Sequence, residues 1–450
     1  MSGSLLIGVG RRRLTPEIPC QMAGFDARKS LARDVHDDLH ARALVVDDGR
    51  EQIALVSVEV IAVSAVFSAK VRSAVEKATR IPAKNVLLSA THTHCGPVTL
   101  NHFFNQGQPL DDAYINLMAD QIVAAVEEAF ASRKSRRLRS GLIACDGIAV
   151  NRRTKDGLPV DPYAGVLLVE EEDGRPAAIA VIYACHTTVL GPDTLSITQD
   201  FPYYTIARLQ QKLGGDVEAV YFNGAQGDLS IGHKSDLSAV GVIDSFRTFA
   251  TAQRLGERLA DAALSGLGEL EEVDPAIAVE SVSMRLPLKS YRPLVEMTEA
   301  KRIALAALDD ADGQEGLAGL RRKQTALFAR IEEYYASLYE ASQEAEPKVL
   351  PLEFTAIGIG NTVLLSLPGE VFVQIALDIR SASPFAKTMF LGLTNDYAGY
   401  IPTANASATS GYEVVASRVP GEASRQLTEE AVALLRVTRE KSLAAEGARR

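Results

Sequence analysis

The chain lacks several features that mark large protein classes. Its 450 residues contain only four cysteines and seven histidines. The cysteines show neither Cys-x-x-Cys spacing nor a dense framework, so a reduced, cytoplasmic protein is expected. No window approaches about 18 uninterrupted apolar residues, so no membrane span is predicted. Residues 1–8 lack the charged and apolar regions of a signal peptide and predict a first strand instead.

An excess of positive charge is missing as well. Lys and Arg total 47 against 57 Asp and Glu, which gives a net charge of −10. This acidic balance argues against a nucleic-acid partner. The short basic runs at 11–13 and 133–139 are interpreted as solvated faces and turn residues. A hydrophobic content of 47% with 23% charged residues is typical of a globular protein.

Low-complexity linkers and internal repeats are also absent. Up to residue 270 the chain alternates between strand-like and helix-like stretches, which predicts an α/β fold. Strands are predicted at 41–47, 52–59, 85–89, 166–170, 177–183 and 217–222. Helices are predicted at 63–79, 111–132, 201–213 and 248–264.

The composition changes after residue 282. Residues 294–346 are rich in Ala, Leu, Glu, Lys and Arg and are interrupted only at Asp312 and Gly313, which predicts a helical hairpin. Further strands are predicted at 352–359 and 362–367, and helices at 371–380 and 421–435. Because nothing marks a linker, residues 1–450 are expected to form one domain with the 294–346 hairpin inserted in it.

Histidine is scarce, yet two of the seven stand two residues apart after a predicted strand. His92 and His94 follow the apolar run 85–88, and Gly96 and Pro97 turn the chain beyond them. Residues two apart at a strand end point the same way, so both imidazoles are expected where the strand becomes a loop. Metal ligands and catalytic groups are often found in such places.

Two other predicted strands also end in a side chain that can bind a metal. One ends at His186, and the other ends at Glu370, at the head of the predicted helix 371–380. Two histidines and one carboxylate that leave a coordination position open are the ligand pattern of catalytic zinc. His92, His186 and Glu370 are therefore a candidate zinc site, although Glu370 alternatively serves only as a favourable charge at a helix N-terminus.

Two polar loops are candidates for supporting roles. Asp200 precedes the helix 201–213 and suits either an N-cap or a catalytic role. The loop 223–230 contains Gly227 and Asp228, and it either presents backbone N–H groups to an oxyanion or is a simple glycine-rich connector. Asp200 and Asp228 are also candidates for orienting a ligand histidine.

Taken in order, these segments resemble the neutral/alkaline non-lysosomal ceramidase family, zinc amidases that cleave the N-acyl bond of ceramide. The resemblance runs across nearly the whole chain and concerns the family's catalytic domain only. It implies stacked mixed β-sheets flanked by helices. The motifs that carry it are Gly8-Val9-Gly10, Met22-Ala23-Gly24-Phe25, Ala90-Thr91-His92-Thr93-His94, Gly227-Asp228-Leu229-Ser230, Leu367-Pro368-Gly369-Glu370 and Asn395-Asp396-Tyr397-Ala398-Gly399-Tyr400.

The resemblance also implies a Zn²⁺ cofactor and a set of site residues. The implied metal ligands are His92, His186, Glu370 and Tyr400. The implied catalytic residues are His94, Ser230 and Tyr412. Tyr397 stays open as an alternative to Tyr400, because the choice depends on the spacing to Tyr412 alone.

Some departures from the family leave the substrate open. Cys95 stands where the family usually has Ser, and Ile231 stands where Pro commonly follows the serine. A secretion signal and the family's C-terminal immunoglobulin-like domain are not expected. Ceramide, smaller N-acyl amines, cyclic amides and esters all remain candidate substrates, and a homo-oligomer is left open.

The leading hypothesis is therefore a zinc-dependent amidohydrolase. Metal-activated water would attack the amide, and His94 would either move a proton or stabilise the tetrahedral oxyanion. Ser230 with the Gly227 loop would position the carbonyl group. One alternative is a metal-independent serine-type amidase or esterase in which His94 or His233 activates Ser230. Another is a non-catalytic protein that binds a small molecule.

Overall fold

The computed structural model describes residues 5–103, 109–290, 294–309, 317–341 and 348–448. Its strands, β1 to β19, are Leu5–Arg13, Asp34–Val35, His40–Asp47, Gln52–Val58, Val86–Ala90, Lys134–Ala144, Val150–Asn151, Tyr163–Glu170, Pro176–Tyr183, Ser196–Ile197, Glu218–Asn223, Leu229–Ser230, Glu271–Glu272, Ile277–Pro287, Val349–Ile359, Thr362–Ser366, Glu370–Val371, Lys387–Leu391 and Tyr400–Ile401. Its helices, α1 to α11, are Ala65–Thr79, Asp112–Ala131, Phe201–Leu213, Ser235–Ala239, Phe249–Ser265, Leu294–Asp309, Leu317–Ala341, Val373–Ala382, Ala404–Thr409, Tyr412–Val415 and Ala423–Gly447.

The larger sheet has the strand order β11-β9-β8-β6-β1-β3-β4-β5, and β13 pairs with β6. Its central pairs are antiparallel, whereas β4 with β5 and β9 with β11 are parallel. A parallel pair requires a crossover, and α1 and α3 supply it. The end strands β5 and β11 contact each other, because strand twist of roughly 20–25° per pair accumulates across the sheet. The loops after these strands therefore meet.

A second sheet, in the order β14-β15-β16-β18, stacks on the first. Apolar side chains of both sheets form one buried cluster between them. Leu44 and Ile53 come from the larger sheet, and Ile357, Leu364 and Met389 come from the smaller one. Each of these strands therefore buries at least one face against the other sheet, which is the usual basis of a sandwich core.

Helices cover the outer faces of both sheets. The helices α1 and α2 lie on one part of the larger sheet and α3 and α5 on another, while α8 and α11 lie on the smaller sheet. The order helix, sheet, sheet, helix confirms the expected α/β fold with stacked mixed sheets. Among the described residues, no helix combines the length and the hydropathy needed to cross a membrane.

The predicted hairpin corresponds to α6 and α7, which pack against each other. Leu327, Ile331 and Tyr335 of α7 are buried in the same core as the smaller sheet, so this helix is anchored in the body of the protein. Residues 310–316 and 342–346 of the predicted hairpin lie outside the described residues. A single domain over 1–450 stays a prediction.

The basic runs keep the partly exposed faces expected of them, but they lie in strands and not in turns. Residues 11–13 lie in β1 and 133–139 lie largely in β6, which pair with one another. Arg136 forms an ion pair with Glu171 at 2.9 Å, and Arg139 forms one with Glu170 at 3.4 Å. Because neighbouring acidic side chains pair with these arginines, a run of positive charge is compatible with an internal strand.

Candidate metal centre

His92 lies directly beyond β5, and its backbone is held in an unusual conformation. Its φ is +68°, in the left-handed region, which costs a residue with a Cβ roughly 1–2 kcal/mol. The His92 N–H donates to Val60 O at 3.0 Å, and Nδ1 lies 2.7 Å from Ile61 O. The carbonyl oxygen can only accept, so Nδ1 carries the proton and Nε2 presents a lone pair.

His186 follows β9 and is oriented in the same manner. Its Nδ1 lies 2.8 Å from Gln226 O and 2.9 Å from Leu229 O. Both partners are carbonyl oxygens, so Nδ1 is again the protonated nitrogen and Nε2 is the acceptor. The loop after β11 therefore fixes the tautomer of this imidazole, and Asn223 ties that loop to the His92 segment by donating to Thr91 O at 3.2 Å.

Glu370 belongs to the short strand β17, which pairs in parallel with β19. The sequence instead predicts that Glu370 stands directly at the start of a helix. The helix α8 begins only at Val373. The Glu370 N–H donates to Gly399 O at 2.9 Å, and Oε1 accepts the Tyr397 hydroxyl at 2.6 Å. Oε2 is buried and accepts no hydrogen bond.

The three side chains converge on one point. Glu370 Oε2 lies 2.8 Å from His186 Nε2 and 3.6 Å from His92 Nε2. All three residues are buried, and their potential ligand atoms lie within 4.8 Å of one another. Three lone pairs that face each other without a proton repel, and a buried carboxylate oxygen without a donor is costly. This donor set fits a divalent cation such as Zn²⁺.

Ionisation supports the same conclusion. Burial lowers the pKa of His186 to about 4, so its imidazole is neutral at neutral pH. Burial alone would raise the pKa of Glu370, but the facing His92 and His186 keep it well below its ordinary value. The carboxyl group is therefore ionised. The neutral imidazole of His186 and the anionic carboxylate of Glu370 have the protonation states that metal binding requires.

His94 stands beside this cluster. Its Nε2 lies 3.3 Å from His92 Nε2, and its buried Nδ1 has no hydrogen-bond partner. Burial, followed by the neighbouring His92, lowers the His94 pKa well below its usual value. The Phe25 ring packs edge-on against the imidazole at 4.9 Å. A Cβ at Gly24 would lie 2.4 Å from the His94 ring, so only glycine allows this approach.

The two tyrosines of the predicted motif have different surroundings. The Tyr400 hydroxyl lies 3.5 Å from His186 Nε2 and accepts a hydrogen bond from Arg152 Nη2 at 3.2 Å. The Tyr397 hydroxyl instead donates to Glu370 Oε1, the oxygen that faces away from the histidines. Burial raises the pKa of both phenols well above the ordinary value, while Arg152 opposes this effect at Tyr400. The Tyr400 hydroxyl, and not that of Tyr397, therefore faces a nitrogen of the cluster.

His94, Tyr397 and Tyr412 are the site side chains that retain some exposure. The Tyr412 ring lies edge-on to Tyr400, with 5.9 Å between ring centroids. The three residues of the His/His/Glu cluster are, by contrast, at most 2% exposed.

The glycine-rich loop packs against the Glu370 strand, which agrees with its interpretation as a connector. The Gly227 N–H donates to Val371 O at 3.0 Å, and a Cβ at Gly227 would lie 2.4 Å from Glu370 O. Asp228 accepts from the Val373 N–H at 2.8 Å. The backbone N–H of Gly227 is thus unavailable to a substrate, and the loop instead holds the Glu370 strand in place.

Asp200 caps α3, as one of its two interpretations predicted. Its carboxylate accepts from the backbone N–H groups of Phe201 at 2.6 Å and Leu190 at 2.9 Å. Neither Asp200 nor Asp228 contacts a ligand imidazole through a hydrogen bond, in contrast to the orienting role considered for them. The Nδ1 atoms of both imidazoles already donate to backbone carbonyl oxygens, so they are not available to these carboxylates.

The Ser230 hydroxyl is also occupied within its own turn. It donates to His233 O at 3.0 Å and accepts from the Gly232 N–H at 3.2 Å. The His233 ring contacts Thr188 Oγ1 at 3.3 Å and not Ser230. In the described part of the chain no imidazole lies within hydrogen-bond reach of Ser230, so the geometry disfavours a serine nucleophile.

Sequence reasoning missed a buried ion-pair network behind Tyr400. Arg152 Nε donates to Glu413 Oε1 at 2.7 Å, and Arg153 Nη1 donates to Glu413 Oε2 at 2.7 Å. Arg152 and Glu413 are both buried. The available signal was the pair Arg152-Arg153 after a polar turn, but a basic pair of this kind is usually solvent-exposed.

Asp228 gives the stability of the fold an expected pH dependence. Burial raises the pKa of Asp228 to about 6, against about 3.9 in an unfolded chain. Between these values the folded state keeps a proton that the unfolded state has released, so this group lowers the unfolding free energy as pH rises. From pH 4 to 6, metal-free Asp228→Asn should gain about 1–3 kcal/mol relative to the metal-free parent. Denaturant titrations measure this; a pH-independent difference would contradict it.

The two tyrosines are expected to differ in their effect on metal affinity. Tyr397→Phe removes a hydrogen bond to a ligand and should weaken zinc binding by about 10–100-fold. Tyr400→Phe removes the proposed ligand atom itself and should have the larger effect. Competition titration against a chromogenic chelator measures both affinities. If Tyr397→Phe were the more damaging of the two, the placement of Tyr400 as the ligand would be wrong.

The fold and the site together define a class: an α/β sandwich protein with a buried His/His/Glu cluster suited to a catalytic metal. Residues 5–219 match the family model described as neutral/alkaline non-lysosomal ceramidase, N-terminal. The neutral ceramidase of Pseudomonas aeruginosa is 23% identical over 464 residues, which cover 90% of this chain and 68% of that protein. These findings confirm the resemblance, and the chain is related to the neutral/alkaline non-lysosomal ceramidases.

Solved structures show the same fold. The crystal structure of the Pseudomonas aeruginosa neutral ceramidase aligns with a TM-score of 0.76 at 20% identity, and it covers 97% of this chain and 75% of that one. A ceramidase complexed with C2 aligns with a TM-score of 0.74 at 20% identity over 97% and 76% of the two chains.

Proposed function

We propose that the chain is a zinc-dependent hydrolase that cleaves the C–N bond of an N-acyl amine or lipid amide. The observation that supports it most is the convergence of His92 Nε2, His186 Nε2 and Glu370 Oε2 without a proton between them. Tyr400 is the proposed fourth ligand. The relation to neutral ceramidases supports amide hydrolysis as the reaction.

Each group of the chain then has a defined task. Zinc bound by these residues would supply Lewis acidity, which acidifies water and polarises a carbonyl group. His94 is neutral, has a free nitrogen and borders the exposed side, so it takes the proton of the attacking water and returns it to the leaving amine. Arg152 holds the Tyr400 oxygen in place, and Tyr412 borders the substrate's path.

Release of amine from a panel of amides tests this proposal. The panel runs from long-chain ceramide through short N-acyl amines to cyclic amides and is assayed with zinc-replete protein. We expect at least one class to be hydrolysed and His92→Ala to be inactive. If no amide were hydrolysed faster by the parent than by His92→Ala, the protein would be a binding protein and the proposal would fail.

Ser230→Ala separates the zinc mechanism from the serine alternative. Ser230 lies in a turn and donates to a backbone carbonyl, so its loss should change the rate by less than about tenfold. A serine nucleophile predicts a loss of about 10⁶-fold, together with activity that survives chelation.

The location, partners and oligomeric state of the chain are part of the same proposal. We expect a cytoplasmic protein that acts on a small or lipid amide and does not bind nucleic acid. A homo-oligomer is compatible with the fold. Size-exclusion chromatography with light scattering measures the oligomeric state.

A further inference from the structure

A cavity of about 470 Å³ lies next to the Arg152–Glu413 network, between α4, α7 and the segment that joins α9 to α10. It is separate from the His/His/Glu cluster, none of whose members lines it. The charged residues that line it are Arg152, Arg153, Lys234, Asp236, Arg321 and Glu413.

The cavity carries a net positive charge. Four cationic side chains and two carboxylates line it, which leaves two positive charges uncompensated. The carboxylates are already engaged: Glu413 by Arg152 and Arg153, and Asp236 by the Tyr412 N–H at 2.7 Å. The whole chain carries a net charge of −10, so the sign of this cavity is opposite to that of the protein.

Lys234 and Arg321 are the cations without an anionic partner. Lys234 Nζ is held by two carbonyl oxygens, Arg152 O at 2.7 Å and Thr154 O at 3.4 Å. Within the described residues no carboxylate lies within salt-bridge distance of Lys234, and the Arg321 guanidinium makes neither a hydrogen bond nor an ion pair. Uncompensated cations in a concave wall focus the electric field and attract anions.

We propose that this cavity is a binding site for a small oxyanion group, a carboxylate or a phosphate, held by Lys234 and Arg321. Guanidinium and ammonium groups are the usual partners of such oxyanions, and arginine can bind them in a bidentate manner. Ser235 and Thr409 also line the cavity, but their hydroxyls already donate to Glu413 Oε1 and Ala406 O, so Lys234 and Arg321 are the groups that hold the oxyanion. The oxyanion is either a free anion or an acidic group of the substrate.

The site is connected to the proposed metal centre through one side chain. Arg152 lines the cavity and also donates to the Tyr400 hydroxyl. A bound anion would attract the Arg152 guanidinium and so change its hold on Tyr400. Anion binding in this cavity does not depend on amide hydrolysis, so it can be measured without turnover.

Calorimetric titration with inorganic phosphate at low ionic strength tests the site. The parent is compared with the double variant Lys234→Gln/Arg321→Gln and with the control Lys212→Gln/Lys323→Gln, which loses the same charge from exposed positions outside the cavity. We expect the parent and the control to bind phosphate and the double variant to bind at least about tenfold more weakly. Absence of binding to the parent, or equal binding to both double variants, would overturn the proposal.

Kinetics then identify the source of the oxyanion. Two amide substrates are compared, one that carries a carboxylate and its neutral isostere. If phosphate raises KM for the charged amide alone, the site binds an acidic group of the substrate; if it alters kcat for both, the site binds a free anion. Phosphate binding is measured without turnover, so failure of the amidase proposal and failure of the anion site are distinguishable.

Discussion

Replacing Glu370 with glutamine is expected to reduce zinc affinity and amide hydrolysis together, each by about three orders of magnitude. The substitution removes the only anionic side chain of the His/His/Glu cluster but keeps its shape. The glutamine amide can donate to His186 Nε2, which the carboxylate faces at 2.8 Å without a proton. The metal-free variant should therefore be more stable than the metal-free parent, by about 1–3 kcal/mol.

Glu170→Gln is the matched control for this variant. Glu170 is a buried glutamate as well, but it pairs with Arg139 in the larger sheet, away from the cluster. We expect this control to lose stability and to keep its zinc. Zinc affinity is measured by chelator competition and stability by denaturant titration of the metal-free proteins. A Glu370→Gln protein that binds zinc as tightly as the parent would contradict the site.

His94→Ala should separate catalysis from metal binding. His94 lies beside His92 but points no nitrogen at Glu370, so the variant is expected to keep its zinc. Loss of the proton-transferring imidazole should lower kcat by about 10²–10⁴-fold. Single-turnover kinetics on the best amide of the panel, with zinc content measured on the same sample, give both quantities.

His36→Ala controls for the loss of an imidazole elsewhere. His36 pairs with Asp37 at 2.8 Å and stacks on Phe249, outside the cluster. We expect kcat to change by less than about threefold in this control. If His94→Ala lost its zinc, His94 would be a ligand; if it kept full activity, proton transfer by His94 would be disproved.

Sequence reasoning located the alternating elements well where burial and periodicity agree. The strand that leads to His92 and the strand that leads to His186 are continuous apolar runs, which are typical of buried strands. No strand was predicted at β6. A run of arginines indicates a solvated segment unless the glutamates that face it are known. Such pairs join residues from different strands, and no local pattern predicts them.

The metal cluster could be predicted because its members are rare residues at strand ends. The groups that orient these side chains could not be predicted from the sequence. The carbonyls of Ile61, Gln226 and Leu229 hold the imidazoles, and every residue has a carbonyl. Asp200 and Asp228 were candidates for orienting a ligand histidine. In the folded chain their carboxylates accept hydrogen bonds from backbone N–H groups instead.

Arg152 was beyond prediction for a related reason. Its partners, Glu413 and Tyr400, are more than two hundred residues away in sequence. Burial of a charged side chain depends on such distant partners. Sequence therefore predicted which side chains form the cluster, whereas the network behind Tyr400 and the cavity beside it required the structure.

The zinc content of the purified protein and its relation to hydrolysis test the proposed metal centre most directly. We expect one tightly bound zinc per chain, loss of amide hydrolysis on chelation, and full recovery when one equivalent of zinc is restored. Undiminished hydrolysis by the metal-free protein, or a metal-free protein that binds no zinc, would contradict it.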